Sequence, residues 1–307
     1  MKTALIKKVN LNSAFRAVSL LSATAALAFA AAPDTRADDS KVHALVNFEV
    51  SDKYLTPRGM IVVDHGLTYQ QLFLAFVDLH DGATGDFINN ITFVPGVWAD
   101  FATHPTAIHL KGAGATDWVE TDPIAGLSVK FAKDFKLDVT YTAFEMHILD
   151  IGTSQHLETK LSFDDSSYLQ SFALHPYVSY WRELDGKATA AANFGVPSSY
   201  YFDVGVDPGT SIGKWKIEVP VRALIPSSKF YGTHFASKST IALYEVSVKG
   251  SVPVSFMPAG YGSWSFHLGV NYMNFVDKNL QHLALGGGFG PKKTDTFQVF
   301  SGLSTFF

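Results

Sequence analysis

Segments in which apolar and polar side chains alternate residue by residue recur along this sequence. The clearest runs from Lys214 to Arg222, where charged residues occupy one face and apolar residues the other. A period of two belongs to the β-strand, whose successive side chains point to opposite faces. The pattern predicts an all-β chain of about twelve strands. The predicted strands are His43–Ser51, Tyr69–Leu79, Phe87–Trp98, Trp118–Phe131, Phe135–His147, Gln155–Asp164, Ser171–Glu183, Ser199–Asp207, Lys214–Ile225, Thr240–Phe256, Ser263–Asn274 and Thr296–Phe307.

Strand length separates a soluble fold from a membrane fold. Sandwiches and lipocalin-like barrels also alternate, but strands in globular proteins are usually about 5–6 residues long. Several predicted strands here run for about 11–17 residues, and a tilted membrane strand needs about 9–11 for the hydrocarbon layer alone. The row from Trp264 to Tyr272 has aromatic residues at both ends and aliphatic residues between them, as expected for a strand that crosses two membrane interfaces.

The connections between the predicted strands differ in length by parity. Five of the six odd-numbered connections are long, whereas all even-numbered ones are short. The odd-numbered ones are 52–68, 99–117, 148–154, 184–198, 226–239 and 275–295, and the even-numbered ones are 80–86, 132–134, 165–170, 208–213 and 257–262. Outer-membrane barrels have long outer loops and short periplasmic turns. The chain is therefore predicted to form a transmembrane antiparallel up-and-down β-barrel in the outer membrane of a diderm bacterium, with both termini in the periplasm.

The N-terminus has the layout of a secretory signal peptide. Four basic residues lead into the small, apolar segment Ala17–Ala32, and Ala28-Phe29-Ala30 matches an A-x-A cleavage site. We expect cleavage after residues 1–30, or as late as position 37. The remainder, 31–307, is predicted to be one domain, because no linker or internal repeat divides it.

Composition narrows the class of protein further. The chain is 47% hydrophobic but only 17% charged, below the usual quarter of a soluble protein. It contains no cysteine, which excludes a disulfide framework and a lipid anchor on an N-terminal cysteine. Loss of residues 1–30 would leave 20 basic against 28 acidic residues, a net charge of −8. That balance gives no indication of nucleic acid as a partner.

The last predicted strand ends on Phe307. A terminal strand that ends in phenylalanine resembles the C-terminal signature of bacterial outer-membrane barrels. The resemblance implies that Phe307 is an assembly signal read by the barrel-assembly machinery.

The search for catalytic or metal-binding motifs finds none. The sequence has no nucleophile elbow, P-loop, dinucleotide fingerprint or zinc-protease helix. The run Gly286–Gly290 precedes no predicted helix and is interpreted as a flexible loop. His104 and His109 share one connection, and His147 and His156 flank another, but none has a metal-site spacing with an acidic partner. The sequence thus predicts no enzyme, no cofactor and no metal site.

A less favoured alternative is a hydrolase embedded in the barrel that acts on lipids. Such enzymes use serine and histidine near the membrane surface, and Ser154 could pair with His156 or His147.

Charged residues on the polar rows of the strands are predicted to line the lumen. They are Glu49, Glu120, Asp122, Lys130, Glu158, Lys160, Asp203, Lys214, Lys216, Glu218, Arg222, Glu245 and Lys249. One interpretation is that they pair across strands and hold the wall together. The other is that some line a water-filled path and set its ion preference. Lys214, Lys216 and Arg222 form a local excess of positive charge, which would make an anion-preferring strip in a pore.

Three segments resemble the TorF-type porin family. They are Ser51-Asp52-Lys53-Tyr54 followed by Arg58-Gly59, then Trp98 at a strand end, and Glu120-Thr121-Asp122-Pro123-Ile124-Ala125-Gly126. The spacing from Tyr54 to Arg58 is longer than in the family, and Ile124 stands where the family has tyrosine. The resemblance implies an outer-membrane barrel with a presumed channel and gives no catalytic residues.

The predicted function is that of an outer-membrane channel for small solutes, with membrane lipids and the solutes themselves as partners. Twelve strands enclose a lumen that side chains can fill, so such a channel would be narrow. The alternative is a non-conducting barrel that acts through its outer loops, as an adhesin or a structural protein of the envelope.

Overall fold

The structure, a computed structural model, describes residues 41–83, 85–103, 117–148, 152–186, 198–233, 235, 239–285 and 291–307. The predicted signal peptide, the glycine run 286–290 and the histidine pair at 104 and 109 lie outside these residues. The strands are β1 Val42–Ser51, β2 Tyr54–Leu55, β3 Ile61–Val63, β4 Thr68–Asp81, β5 Ile88–Ala102, β6 Trp118–Phe131, β7 Phe135–Met146, β8 Ser154–Phe163, β9 Pro176–Asp185, β10 Tyr200–Val206, β11 Gly209–Ile212, β12 Trp215–Glu218, β13 Val221–Pro226, β14 Leu243–Pro253, β15 Ser263–Phe275 and β16 Asp295–Phe306. The helices are α1 Ser166–Leu169 and α2 Lys278–Leu283, with 3₁₀ turns at Gln170–Phe172 and Ala259–Tyr261. None of the helices in this part of the chain is long and apolar enough to cross a membrane.

The strands form one closed antiparallel ring. From β4 to β10 each strand pairs with the next along the chain, β1 pairs with β4, and β16 pairs with both β15 and β1. β10 pairs with β13, and β12 and β13 both pair with β14, which pairs in turn with β15. The main chains of Phe307 and Ala44 complete the closing seam with a reciprocal pair of hydrogen bonds, of 2.9 and 3.3 Å. A closed ring leaves no unpaired strand edge, which is the condition for β-structure in hydrocarbon.

Two positions in the ring are each occupied by a pair of short strands. β10 and β11 follow one another across Asp207-Pro208, and β12 and β13 across Val219-Pro220. The hydrogen bonds Val219 N to Pro208 O and Ser247 N to Pro220 O, each 2.9 Å, carry the ladder past these interruptions. Proline lacks the N–H that a central strand position uses, so the breaks fall where the ladder loses a donor. Counted in this way the ring has twelve strands, and the predicted fold class is confirmed.

The two ends of the barrel differ as the parity of the connections predicted. One end, called the loop end here, carries 52–67, 103–117, 147–153, 186–199, 227–242 and 276–294. The other, the turn end, carries 82–87, 132–134, 164–175, 213–214 and 254–262.

The connection 164–175 is longer than predicted, because the segment expected to begin a strand at Ser171 is helical until Phe172. β9 begins only at Pro176. The Asp165 carboxylate fixes this turn by accepting hydrogen bonds from the N–H groups of Leu174 and His175, at 2.9–3.0 Å.

The outer surface of the ring is apolar. Large side chains on the outward row are exposed on many strands, which is what contact with lipid requires. They include Phe48, Phe73, Phe93, Leu127, Leu161, Val178, Phe202, Val246, Val248, Leu268, Tyr272, Phe297, Val299 and Leu303. Aromatic rings touch one another along the turn-end rim, in the sequence Phe87, Phe131, Phe135, Phe163 and Tyr168. Phe101 stacks on Trp118 at the loop end. The band therefore has aromatic residues at both interfaces.

The connection 52–67 does not form an outer loop as predicted but folds into the barrel. It contains the short antiparallel pair β2 and β3. Every residue of Ile61–Val63 is buried, as are Tyr54 and Leu55. Residues 52–67 touch inward-facing side chains from several strands around the ring, which only a segment inside the barrel can do. We call residues 52–67 the plug.

The plug also explains a change of parity in the sequence of β7, where the apolar positions shift from Leu137, Val139 and Tyr141 to Phe144 and Met146. From the sequence alone, this shift predicts a β-bulge near Ala143, and that prediction is wrong. The pairing of β7 with β8 passes through Thr142↔His156 and Ala143↔Gln155 without a shift. Phe144 and Met146 stay on the same inward row as Thr142. The inward row turns apolar at the loop end because it meets the plug there, and the strand keeps its phase.

Candidate functional site

The plug begins with a tight turn that presents an arginine to the barrel wall. Gly59 N donates to Thr56 O at 2.9 Å, with Pro57 at the second position of the turn, where its fixed φ is favourable. Gly59 has a φ of +83°, and a Cβ there would lie 2.7 Å from a methyl carbon of Leu243. Only glycine fits, because both the backbone angle and the space exclude a side chain. The turn is thus fixed with Arg58 pointing at the wall.

Arg58 joins the plug to β9. Its Nη1 lies 3.1 Å from Oε1 of Glu183, and both side chains are almost fully buried. The guanidinium also lies over the rings of Phe144 and Trp181, at 5.0 and 5.9 Å from their centres. Burial alone would lower the pKa of Arg58, but Glu183 and other nearby groups raise it overall, so the side chain stays charged. Tyr231 donates its hydroxyl proton to Arg58 O at 2.7 Å.

Tyr54 joins the plug to β6. Its hydroxyl donates to Oε2 of Glu120 at 2.7 Å, and its ring lies 5.2 Å from that of Trp98. Burial, followed by the charges of Glu120 and Asp122, raises the pKa of Tyr54 well above its usual value. The phenol therefore stays protonated and available as a donor. Asp100 on β5 pairs in register with Glu120, so three carboxyl groups lie close together under the plug.

Arg222 on β13 forms the second buried charge network. It donates to Asp203 and to Glu245, each at 2.5 Å, and these residues lie on the neighbouring strands β10 and β14. The same guanidinium donates to Pro57 O at 2.8 Å. Arg222 therefore ties three wall strands to the plug.

Further contacts join the plug to the described connections at the loop end. Ile61 N of the plug donates to Ala284 O at 2.6 Å, next to α2. The side chain of Asp277 caps α2 by accepting from the N–H groups of Asn279 and Leu280. The buried cluster that joins plug, connections and wall includes Leu55, Ile61, Phe230, Leu243, Phe275, Leu280 and Leu285.

The inner wall towards the turn end carries ion pairs on one part of the ring and apolar side chains on another. Lys136 pairs with Asp138 at 2.8 Å, and Lys216 with Glu218 at 2.8 Å. Lys160 lies over the ring of Tyr177, at 3.8 Å from its centre. The apolar part is the cluster of Leu74, Phe76 and Val94.

The predicted lumen residues fall into three groups by burial. Those buried are Glu49, Glu120, Asp122, Lys160, Asp203, Arg222 and Glu245. Those partly buried are Glu158, Lys216, Glu218 and Lys249, and those exposed near the turn end are Lys130 and Lys214. Some of these residues bond to a polar side chain on another strand. Glu49 contacts His267 at 2.8 Å, and Glu158 accepts a hydrogen bond from Ser179 at 2.6 Å.

The predicted anion-preferring strip is largely neutralised in the structure. Lys216 is paired with Glu218, and Arg222 lies between two carboxylates. Lys214 sits exposed in the turn between β11 and β12.

Residues of the plug network that sequence reasoning did not assign to the lumen are Arg58, Tyr54, Asp100 and Glu183. Arg58 and Tyr54 lie in a predicted outer loop, so no strand pattern could place them inside. The available signal was the apolar run Ile61–Val63, which is unusual for a solvated loop.

The serine–histidine alternative has an unfavourable geometry. Ser154 and His156 are both fully buried. His156 packs between the rings of Phe144 and Trp181, and its Nδ1 lies 3.7 Å from Glu183. His147 is bonded to Thr121 on the other side of the wall. Among the described residues, neither Ser154 nor His156 has exposed surface that a lipid acyl group could reach.

Within the described residues, the one set of three side chains that could hold a metal ion is Asp164, Asp165 and His175. Burial of Asp165 acts to raise its pKa, but the backbone hydrogen bonds from His175 and Leu174 outweigh it and hold the pKa below its usual value. Those bonds give the carboxylate a role in the turn. The set is interpreted as a turn anchor.

No protein-family model matches the sequence, and a search of curated proteins finds no match. Among solved structures, the chain is similar to the COG4313 outer membrane channel from Pseudomonas putida F1, at 9% identity and a TM-score of 0.43, covering 87% of this chain and 94% of that one. It is similar to the β domain of the Bordetella autotransporter BrkA, at 8% identity and a TM-score of 0.39, covering 87% and 99%. It is also similar to OccAB3 from Acinetobacter baumannii, at 9% identity and a TM-score of 0.30, covering 87% and 98%. The resemblance to TorF-type porins stays a prediction.

Proposed function

We propose that this protein is an outer-membrane channel for small solutes whose path is closed at the loop end by the plug. The observation that supports this is the division of the barrel wall into an apolar outer row and a charged, hydrogen-bonded inner row. An inner wall with ion pairs and part-exposed lysines would be costly without water, so the turn half of the lumen is a hydrated vestibule. Solutes then meet the plug as the barrier between the vestibule and the loop end.

Planar-bilayer conductance tests this function with a matched pair of proteins. Ser51 and Thr68 are directly paired across β1 and β4, so an Asn-Gly turn can replace residues 52–67 without moving either strand. We expect the shortened variant to give conductance steps several-fold larger than those of the parent. If neither protein gives steps above the empty-bilayer baseline, the channel function is wrong.

The filled loop half favours a second candidate, a non-conducting barrel that acts through its outer loops. This candidate predicts that the parent never conducts under any condition, although the shortened variant does. The two proteins measured side by side therefore distinguish a closed channel from a structural barrel.

The structure brings together the segments that resemble TorF-type porins. Tyr54 bonds to Glu120 and lies against Trp98, while Arg58 lies in the next turn of the plug. We propose on this basis that the chain is related to that family, with the plug and its wall contacts as the common feature.

Export and assembly complete the proposal. A signal peptide at 1–30 would deliver the chain to the periplasm, where the barrel-assembly machinery would insert domain 31–307. We propose that Phe307 serves this step. Its main chain pairs with Ala44 at the closing seam.

Deletion of Phe307 is expected to reduce the amount of folded barrel in the outer membrane several-fold, because it removes both the seam pair and the aromatic signal. The measurement is the heat-modifiable, folded band in outer-membrane fractions, with signal-peptide cleavage as the readout of export. Phe307→Tyr is the matched control and should assemble normally. Equal insertion of the deletion variant would show that Phe307 is only one more interfacial aromatic residue.

A further inference from the structure

Three carboxyl groups lie under the plug with little compensating charge. Asp100, Glu120 and Asp122 are each at most 4% exposed. Asp100 and Glu120 are direct partners across β5 and β6, and Asp122 is the next inward residue after Glu120. One oxygen of Asp122, Oδ1, is buried without a hydrogen-bond partner in the part of the chain that the structure describes.

Side chains of the plug and of strands β4 and β7 face these three carboxyl groups. The plug supplies Tyr54, which donates to Glu120, and Arg58. β4 supplies the uncharged Gln70, whose position is in register with Asp100, and β7 supplies Met146 opposite Glu120.

Beyond Arg58 lie Glu183 and His156. Arg58 is already in an ion pair with Glu183, so its charge is shared. His156 is buried between aromatic rings. Among the residues that the structure describes, one guanidinium therefore faces four buried carboxyl groups.

Such a set cannot be fully ionised while the plug is in place. Burial of an isolated carboxylate away from water is strongly unfavourable, and neighbouring carboxylates make the ionisation of each other still less favourable. The closed state must therefore hold protons on some of these groups. Displacement of the plug would admit water to the same side chains, which would then ionise near the ordinary carboxyl range of about 4.

We propose that the plug is a proton-controlled gate, closed while the cluster of Asp100, Glu120 and Asp122 holds its protons and released when the cluster ionises. Its role in transport rests on the proposed channel function, whereas the movement of the plug does not.

The direction of the response follows from proton counting. The closed state binds more protons than the open state, so the closed state is favoured at low pH and is lost as pH rises above the ordinary carboxyl range. For each proton released on opening, the ratio of open to closed plug rises by up to about tenfold per pH unit.

The test measures exposure of the plug directly. The chain has no cysteine, so Val62→Cys creates a single thiol at a plug position that is 3% exposed, with little change in side-chain volume. Its labelling by a water-soluble maleimide is measured in detergent micelles across pH 5 to 9 as a ratio to Ser255→Cys, a thiol in an exposed turn-end position. The ratio cancels the pH dependence of the thiol itself.

We expect the labelling ratio to rise with pH in the parent background and to become nearly flat in a background that carries Asp100→Asn and Asp122→Asn. A flat ratio in the parent background, or an unchanged rise in the double variant, would overturn the proposal.

Conductance of the parent and of the variant with residues 52–67 replaced separates the two proposals. A pH-dependent labelling ratio, with no conductance from either protein, would support the gate movement and refute the channel. A flat labelling ratio in a parent protein that conducts would refute the gate and leave the channel.

Discussion

Replacing Arg222 with methionine is expected to destabilise the barrel more than any other single substitution of an interior charge. The change leaves Asp203 and Glu245 buried on either side of the lost guanidinium, without their cation and with like charges facing each other. Breaking a buried pair in this way typically costs about 3–5 kcal/mol. It also removes the hydrogen bond to Pro57 O, so the plug loosens together with the wall.

The measurement is the temperature at which the folded band is lost on a heat-modifiability gel, supported by urea titration. Lys216→Met is the matched control, because its ion pair with Glu218 is partly exposed and should contribute only about 0–1 kcal/mol. A triple variant that combines Arg222→Met with Asp203→Asn and Glu245→Gln removes all three charges. It should recover much of the stability that Arg222→Met loses. Equal shifts for Arg222→Met and Lys216→Met would contradict the assignment of Arg222 as a structural tie.

Replacing Arg58 with methionine is expected to release the plug while leaving the ring of strands intact. Glu183 would be left fully buried without its ion-pair partner, at a cost of about 3–5 kcal/mol to the docked state. The stacking of the guanidinium on Phe144 and Trp181 would also be lost, at about 0.5–2 kcal/mol. We expect larger conductance steps, with the heat-modifiable band shifted far less than in Arg222→Met.

Two further variants show whether the charge pair itself holds the plug. Arg58→Lys keeps the charge but loses the planar group that stacks on the rings, so it should release the plug only in part. Combining Arg58→Met with Glu183→Gln also removes the buried negative charge of Glu183 and should restore much of the docking. Unchanged conductance in Arg58→Met would mean that the remaining contacts of the plug are sufficient alone.

The strand pattern predicted the ring because each wall strand has one face in lipid and one face inside. Leu268 and Leu303 are outward and exposed, as the alternation indicates, while Gln298 and Glu245 are inward and buried. The parity of the connections predicted which connections share an end of the barrel. The reason is geometric, because successive connections of an up-and-down ring must fall at opposite ends.

The plug was not predictable from alternation because its residues are surrounded on all sides. Tyr54-Leu55 and Ile61–Val63 are too short to show a period of two and are buried on both faces. The same cause led to the wrong prediction of a β-bulge in β7, where the inward row becomes apolar at Phe144 because it meets the plug. The alternation also weakens in β4, where the inward residues Leu74 and Phe76 are apolar because they pack against Val94 of β5.

The position of the plug in the chain sets the order in which its contacts can form. The plug follows the first strand, yet Arg58 meets Glu183 125 residues later, and Lys53 O accepts from Gln298 245 residues later. The docked plug therefore needs strands from almost the whole length of the ring. We expect its docking to come late in folding. Interactions absent from the folding transition state act mainly on the unfolding rate, so Arg58 governs how long the finished barrel stays shut rather than how fast it is built.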